Sequence, residues 1–237
     1  MSDQDPAPAS DPARGGRRWS RGLGYGAAVV LCAALAVVLG VANPPRDEGV
    51  STDRLGPEPG DTVAGYLDRA RDSLAGPDDG DRWALVSFGD YRTAGELPAA
   101  TTGVRVGQAL YQVPVPRVAT PLVAVQVPGG DTALRRSGTD AAWQLTDRLR
   151  YTVPDTRPAQ ILEVAANRLR AGCACAPGVV VRAPLGRLRE LADRPGIRAV
   201  QALPADAVAG RFAVAPLLPD TGDPIVPPAD DGPVPAG

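Results

Sequence analysis

The chain has 237 residues and a formal net charge of −2, and Arg supplies all 25 basic side chains because Lys and His are both absent. This length allows one ordinary domain with non-globular flanks. Nucleic-acid binding is not expected, since it needs a basic field. Without His, the chain has no Ser-His-Asp or Cys-His catalytic group and no His-containing zinc site. We therefore expect no cofactor or metal site, and any catalysis must use Asp, Glu, Arg, Tyr or Cys.

An apolar segment near the start of the chain predicts a membrane helix. Residues 1–21 are predicted to form a disordered N-terminus that contains four Arg, and residues 22–42 carry no charge. About 20 apolar residues span a bilayer, and the positive-inside rule leaves the Arg-rich end in the cytoplasm. We expect a single-pass cell-membrane protein with an extracytoplasmic C-terminal domain. A cleaved signal peptide is the alternative, but the apolar run exceeds the usual length of about 7–15 residues, which favours an uncleaved signal anchor.

Residues 43–60 are predicted to form an extended linker, and residues 61–215 an extracytoplasmic α+β domain. Its first helix places Val63, Leu67, Ala70 and Leu74 on one face, with Asp61 as the N-cap. Later segments alternate between β-rich and amphipathic patterns. In chain order they predict strands at 82–88, 104–113 and 121–127, helices at 139–150 and 158–170, a strand at 176–183, a helix at 184–194 and a strand at 196–203.

Two stretches of the domain resemble each other. Residues 96–110 and 190–203 each contain Glu-Leu, a short connection and then Gly-[Val/Ile]-Arg-x-x-Gln-Ala-Leu. Each motif follows a predicted strand and a helix-capable segment, so we expect two β-α-β units separated by an insertion of one strand and two helices. Two such units build a ferredoxin-like sandwich. The glycine of each motif is expected to turn the chain, and the following Arg to face solvent.

Cys173 and Cys175 are the candidate site residues of the domain. Two closely spaced cysteines outside the membrane favour oxidation. The pair is therefore either a structural disulfide or a labile redox pair. The spacing is not the Cys-x-x-Cys of oxidoreductases, and two thiolates without further ligands do not make a zinc site. We expect the structural role.

Residues 216–237 are rich in proline and are predicted to form a disordered tail. This tail contains LPDTG at residues 218–222, which matches the LPxTG signal that sortases cut. A sortase substrate also needs an apolar segment and basic residues after that string, which hold the chain at the membrane. Residues 223–237 contain neither. We therefore interpret the match as coincidental.

The Arg-rich start, the single apolar segment, RWALVSF (82–88) and the closing motif at residues 173–200 together resemble uncharacterised single-pass membrane proteins that are common in actinobacteria. The resemblance implies the same membrane topology. It points to no particular activity and to no catalytic residue.

These features predict a non-catalytic binding, scaffold or regulatory protein of the cell envelope. It is expected to contact membrane lipid through its anchor helix and an unidentified protein partner through its outer domain, with no nucleic-acid partner. The alternative is an envelope enzyme or thiol redox protein that uses Cys173 and Cys175 or acidic residues. Loss of activity with an intact fold in a Cys-to-Ser variant would favour that alternative.

Overall fold

A computed structural model describes residues 53–77 and 80–235. The predicted disordered N-terminus, the predicted membrane helix at 22–42 and most of the predicted linker lie outside these residues. Within the described ranges, no helix is both long and apolar enough to span a bilayer.

The described chain contains both strands and helices. Its elements are β1 (Arg54–Leu55), α1 (Val63–Asp72), β2 (Asp81–Arg92), α2 (Leu97–Ala100), β3 (Arg105–Tyr111), β4 (Val123–Gln126), α3 (Gly130–Leu149), α4 (Arg157–Arg170), β5 (Ala176–Pro184), α5 (Leu185–Ala192), β6 (Ile197–Ala202) and β7 (Ala213–Val214). Five strands form one sheet in the order β4-β3-β5-β2-β6, in which every neighbouring pair is antiparallel. The predicted α+β class is confirmed.

The two similar stretches occupy interleaved positions in this sheet. The first contributes β2, α2 and β3, and the second contributes β5, α5 and β6, while β4, α3 and α4 come from the segment between them. Strand β5 lies between β2 and β3, and β2 lies between β5 and β6. Gly103 and Gly196 turn the chain into β3 and β6 with φ angles of 86° and 82°, a region that L side chains avoid. Arg194 donates a hydrogen bond of 2.9 Å to the carbonyl of Thr102 and so links the two turns.

One face of the sheet carries the main hydrophobic core. Val86 and Phe88 of β2 lie on this face and pack in the same cluster as residues of α3, α4 and α5. In α5, Leu185, Leu188 and Leu191 recur every three residues, and all three are fully buried. Burial of each such side chain contributes about 1.5–3 kcal/mol. The regular spacing of these leucines is the reason that the sequence predicts this short helix.

The N-cap of α1 is Thr62 rather than the predicted Asp61. The Thr62 hydroxyl accepts a hydrogen bond of 3.1 Å from the amide of Gly65, the usual geometry of an N-cap. Asp61 instead accepts from the Glu58 amide at 2.7 Å and pairs with Arg69. The Arg69 guanidinium is the main reason that the pKa of Asp61 is lowered.

Both ends of the described chain cover the opposite face of the sheet. Leu55 packs with Leu85 and Val180, and β1 pairs in parallel with β7. Leu217, which is fully buried, packs with Tyr66 of α1. The structure thus differs from the expectation of a linker up to residue 60 and a disordered tail from residue 216. Isolated apolar residues in these Pro-rich ends find partners on a sheet face that no helix of the insertion covers.

We call residues 216–235 the strap. Its backbone is bonded to the start of α1, because the amide of Ile225 donates to the carbonyl of Asp61 and the amide of Gly60 donates to the carbonyl of Ile225, both at 2.8 Å. The Asp223 carboxylate accepts a 2.5 Å hydrogen bond from the amide of Val63, in the first turn of α1. This amide has no partner within the helix.

Candidate binding cleft

A cleft of about 970 Å³ lies between the strap and the 112–122 loop, which connects β3 to β4. The other lining residues are Arg54, Pro57, Pro59, Tyr91 and Ala215. Small-molecule sites commonly have volumes of about 300–1,000 Å³. The volume of this cleft is therefore at the upper end of that range.

Most of the cleft lining is apolar. Of its 26 lining residues, 18 are apolar or glycine, and eight of these are proline. Proline fixes φ and loses little freedom on binding, so walls of this composition are already organised for a ligand. The prolines are Pro57, Pro59, Pro114, Pro116, Pro216, Pro224, Pro227 and Pro228.

The ends of β2 and β3 meet beside the cleft through the backbone of Cys175. The Cys175 amide donates a 3.0 Å hydrogen bond to the carbonyl of Arg92, and the Cys175 carbonyl accepts a 2.9 Å hydrogen bond from the amide of Gln112. Gln112 and Tyr91, the neighbour of Arg92, both line the cleft. The position of Cys175 therefore sets the spacing of two cleft residues.

Cys173 and Cys175, the predicted site residues, are joined by a disulfide. Cys175 is 1% exposed and belongs to the main core. The amide of Cys173 donates to the carbonyl of Arg168 at 3.1 Å, and the Arg168 guanidinium donates to the carbonyl of Pro114 in the cleft wall at 2.9 Å. The disulfide loop is thus connected to the cleft at two places.

Tyr91 joins the sheet to the strap. Its hydroxyl donates a hydrogen bond of 3.0 Å to Oδ1 of Asp220. Burial and the charge of Asp220 both raise the pKa of Tyr91, so the phenol stays protonated and remains a donor over the physiological range. This contact holds one wall of the cleft against the other.

The LPDTG string forms part of the strap wall. Arg198 of β6 donates hydrogen bonds to the carbonyls of Leu218 and Pro219, at 2.6 and 3.1 Å, and the Thr221 amide donates to the Leu218 carbonyl at 3.1 Å. The string is therefore a turn fixed to the sheet. Arg198 is half-buried and binds the strap, whereas its place in the repeat predicts a side chain that faces solvent.

Two arginines hold the far end of the strap. Arg117 of the 112–122 loop pairs with Asp231, and Arg157 of α4 donates 2.7 Å and 2.8 Å hydrogen bonds to Asp230 and to the Gly232 carbonyl. Arg157 is the main reason that the pKa of Asp230 is lowered. The strap is therefore attached on both sides of the cleft.

The fold thus brings together Tyr91, Gln112, Arg198 and the strap, none of which the sequence patterns single out as a site. The sequence offers one signal of the strap, which is the presence of Leu217 and Ile225 among its prolines. A disordered tail has no need of such apolar residues. Comparison with protein families, with curated proteins and with solved structures finds no match to the chain.

Proposed function

We propose that this chain is a non-catalytic binding protein of the cell envelope, anchored in the cell membrane by residues 22–42, with residues 53–235 outside. The observation that carries the proposal is the preorganised apolar cleft beneath the strap. The anchor assignment comes from the uncharged apolar segment and the four Arg before it.

We infer in addition that the outer domain is a ferredoxin-like sandwich extended by an insertion. The support is the strand order β3-β5-β2-β6 among the two similar units, together with a helix that connects the two strands of each unit. Two interleaved β-α-β units are the components of that architecture.

Binding is favoured over catalysis by the state of the polar groups in the cleft. The carboxylates of Asp220 and Asp223 are engaged by Tyr91 and by the amide of Val63. The rival, thiol chemistry at Cys173 and Cys175, needs a reactive sulfur that is accessible; Cys175 is 1% exposed, and Cys173 is partly buried.

The proposal is tested by identifying what the full chain carries from the membrane. The chain is purified in nanodiscs and analysed by native mass spectrometry, with Val226→Asp as the cleft variant. Val226 lines the cleft and is 63% exposed, and Val208 is 53% exposed outside it, so Val208→Asp is the matched control. A bound molecule that is lost only in Val226→Asp supports the proposal. The proposal is contradicted if the full chain carries no bound molecule beyond those carried by an anchor-only chain of residues 1–52.

In-cell crosslinking followed by mass spectrometry tests the predicted protein partner. The full chain and the anchor-only chain are compared, so that proteins near any membrane helix are subtracted. A stoichiometric partner captured only by the full chain supports a scaffold or regulatory role of the outer domain.

A further inference from the structure

We propose that the ligand of the cleft is the hydrocarbon chain of a lipid. This inference rests on the proposed function, because it names the chemical class that the cleft beneath the strap binds. Three observations carry it: the composition of the walls, the internal pairing of the polar groups, and the position of the cleft along the chain.

Aliphatic residues from two segments of the chain contribute to the cleft lining. Val113, Val115 and Val118 come from the 112–122 loop, and Ile225 and Val226 come from the strap. Val226 is 63% exposed, so an apolar ligand that covers it removes apolar surface of both partners from water.

Several polar groups of the cleft are bonded within the protein itself. Gln112 donates its side-chain amide to the carbonyl of Thr120 at 3.2 Å, and the Thr120 hydroxyl donates to the carbonyl of Val113 at 2.7 Å. Tyr91 is bonded to Asp220, and Arg117 is paired with Asp231. A ligand rich in hydrogen-bonding groups would have to break these pairs or leave its own groups unpaired, which is costly. A hydrocarbon chain has no such requirement.

Few residues separate the cleft from the predicted membrane helix along the chain. Arg54 lines the cleft, and it follows Ala42, the last residue of the predicted membrane helix, by 12 residues. A fully extended chain of that length reaches at most about 40 Å. Covalent connection to a bilayer-spanning helix would therefore keep the cleft within that distance of the membrane.

Photolabelling of the full chain in phosphatidylcholine nanodiscs tests this inference. One arm uses phosphatidylcholine with a diazirine in one acyl chain, and the other uses a free fatty acid with the same diazirine. Labelled residues are mapped by mass spectrometry after proteolysis. Label on residues 22–42 serves as an internal reference for contact with the bilayer.

The inference predicts label on residues 112–122 and 215–229 in at least one arm. Val226→Asp should reduce that label about tenfold, because it places a carboxylate in an apolar site, and Val208→Asp should leave it unchanged. The labelled arm shows whether the chain comes from the bilayer or from a free fatty acid. Label confined to residues 22–42, or cleft label that persists in Val226→Asp, would overturn the inference.

Failure of the inference is separable from failure of the proposed function. If native mass spectrometry finds a cleft-dependent molecule without a hydrocarbon chain, the binding function stands and the lipid assignment is wrong. If it finds no cleft-dependent molecule and photolabelling does not reach the cleft, both are wrong. Circular dichroism of both Asp variants confirms that each is folded.

Discussion

Tyr91 at the end of β2 donates a 3.0 Å hydrogen bond to Asp220 in the strap, 129 residues later in the chain. This contact connects the central sheet to a segment with no regular secondary structure. It also closes one side of the apolar cleft, since both residues line it.

Tyr91→Phe should loosen the strap without disturbing the sheet. The substitution removes one hydrogen bond and leaves Asp220 exposed to solvent, so the free energy of unfolding should fall by about 0.5–1.5 kcal/mol. Urea denaturation of the full chain in detergent measures the change. Tyr151→Phe is the matched control, because Tyr151 is 85% exposed. Equal stability of the two variants would show that the Tyr91–Asp220 contact does not hold the strap.

Alkaline pH should destabilise the domain. Burial raises the pKa of Tyr66 and of Tyr111 to about 12, whereas an unfolded chain ionises tyrosine near pH 10. The unfolded state therefore loses protons first as the pH rises. The stabilisation is complete below about pH 10 and is lost towards pH 12, by roughly 1.4 kcal/mol per pH unit for each group.

Urea denaturation at a series of pH values from about 8 to 12 measures this loss. Tyr66→Phe should flatten the fall above pH 10 by removing one of the titrating groups. A free energy of unfolding that rises between pH 10 and 12 would contradict the burial of these phenols.

Gly56, which directly follows β1, permits a close approach to Ala215, which directly precedes the strap. Its φ is +114°, and a Cβ at this position would overlap the carbonyl oxygen of Ala215. Gly56→Ala should therefore cost roughly 2–5 kcal/mol of stability, from backbone strain and steric overlap. Gly60→Ala is the control, since Gly60 also has a positive φ of +93°, but a Cβ added there would have no other atom within 4 Å.

Thermal unfolding of the two glycine variants compares these effects. Gly60→Ala should lose only about 1–2 kcal/mol, the cost of the backbone conformation. If both variants lose the same amount, the contact between β1 and Ala215 is not tight.

Removal of the disulfide should lower the stability of the domain only slightly and should increase hydrogen exchange locally beside the cleft. The bridge closes a loop between residues only two apart in sequence, for which the chain-entropy model gives roughly 1–2 kcal/mol. In Cys173→Ala/Cys175→Ala, hydrogen exchange should increase at the amides of residue 175 and Gln112, which tie β2, β5 and β3 together. Cys32→Ala is the control and should change neither quantity. Unchanged exchange at these amides would show that the disulfide does not position the cleft.

Much of the sheet and the helices of the core are predictable from the sequence, whereas the strap is not. Burial of one face of a helix or strand gives the apolar residues a regular spacing in the sequence. The spacing is seen in the apolar strands and in Leu185, Leu188 and Leu191. The strap buries Leu217 and Ile225 singly, among prolines, and its backbone bonds go to distant partners. Such contacts produce no periodic pattern in the sequence. The contact of Arg198 with the strap can be recognised only when the position of the strap is known.

The most direct test of the account is hydrogen exchange of the strap in the full chain. The amides of Ile225 and Gly232 donate to the carbonyls of Asp61 and Arg117, so both should exchange much more slowly than in an unstructured peptide of the same sequence. Exchange of residues 216–235 at unstructured-peptide rates would contradict the account. In that case the strap would not cover the sheet, the cleft would not exist, and both the binding function and its lipid ligand would be excluded.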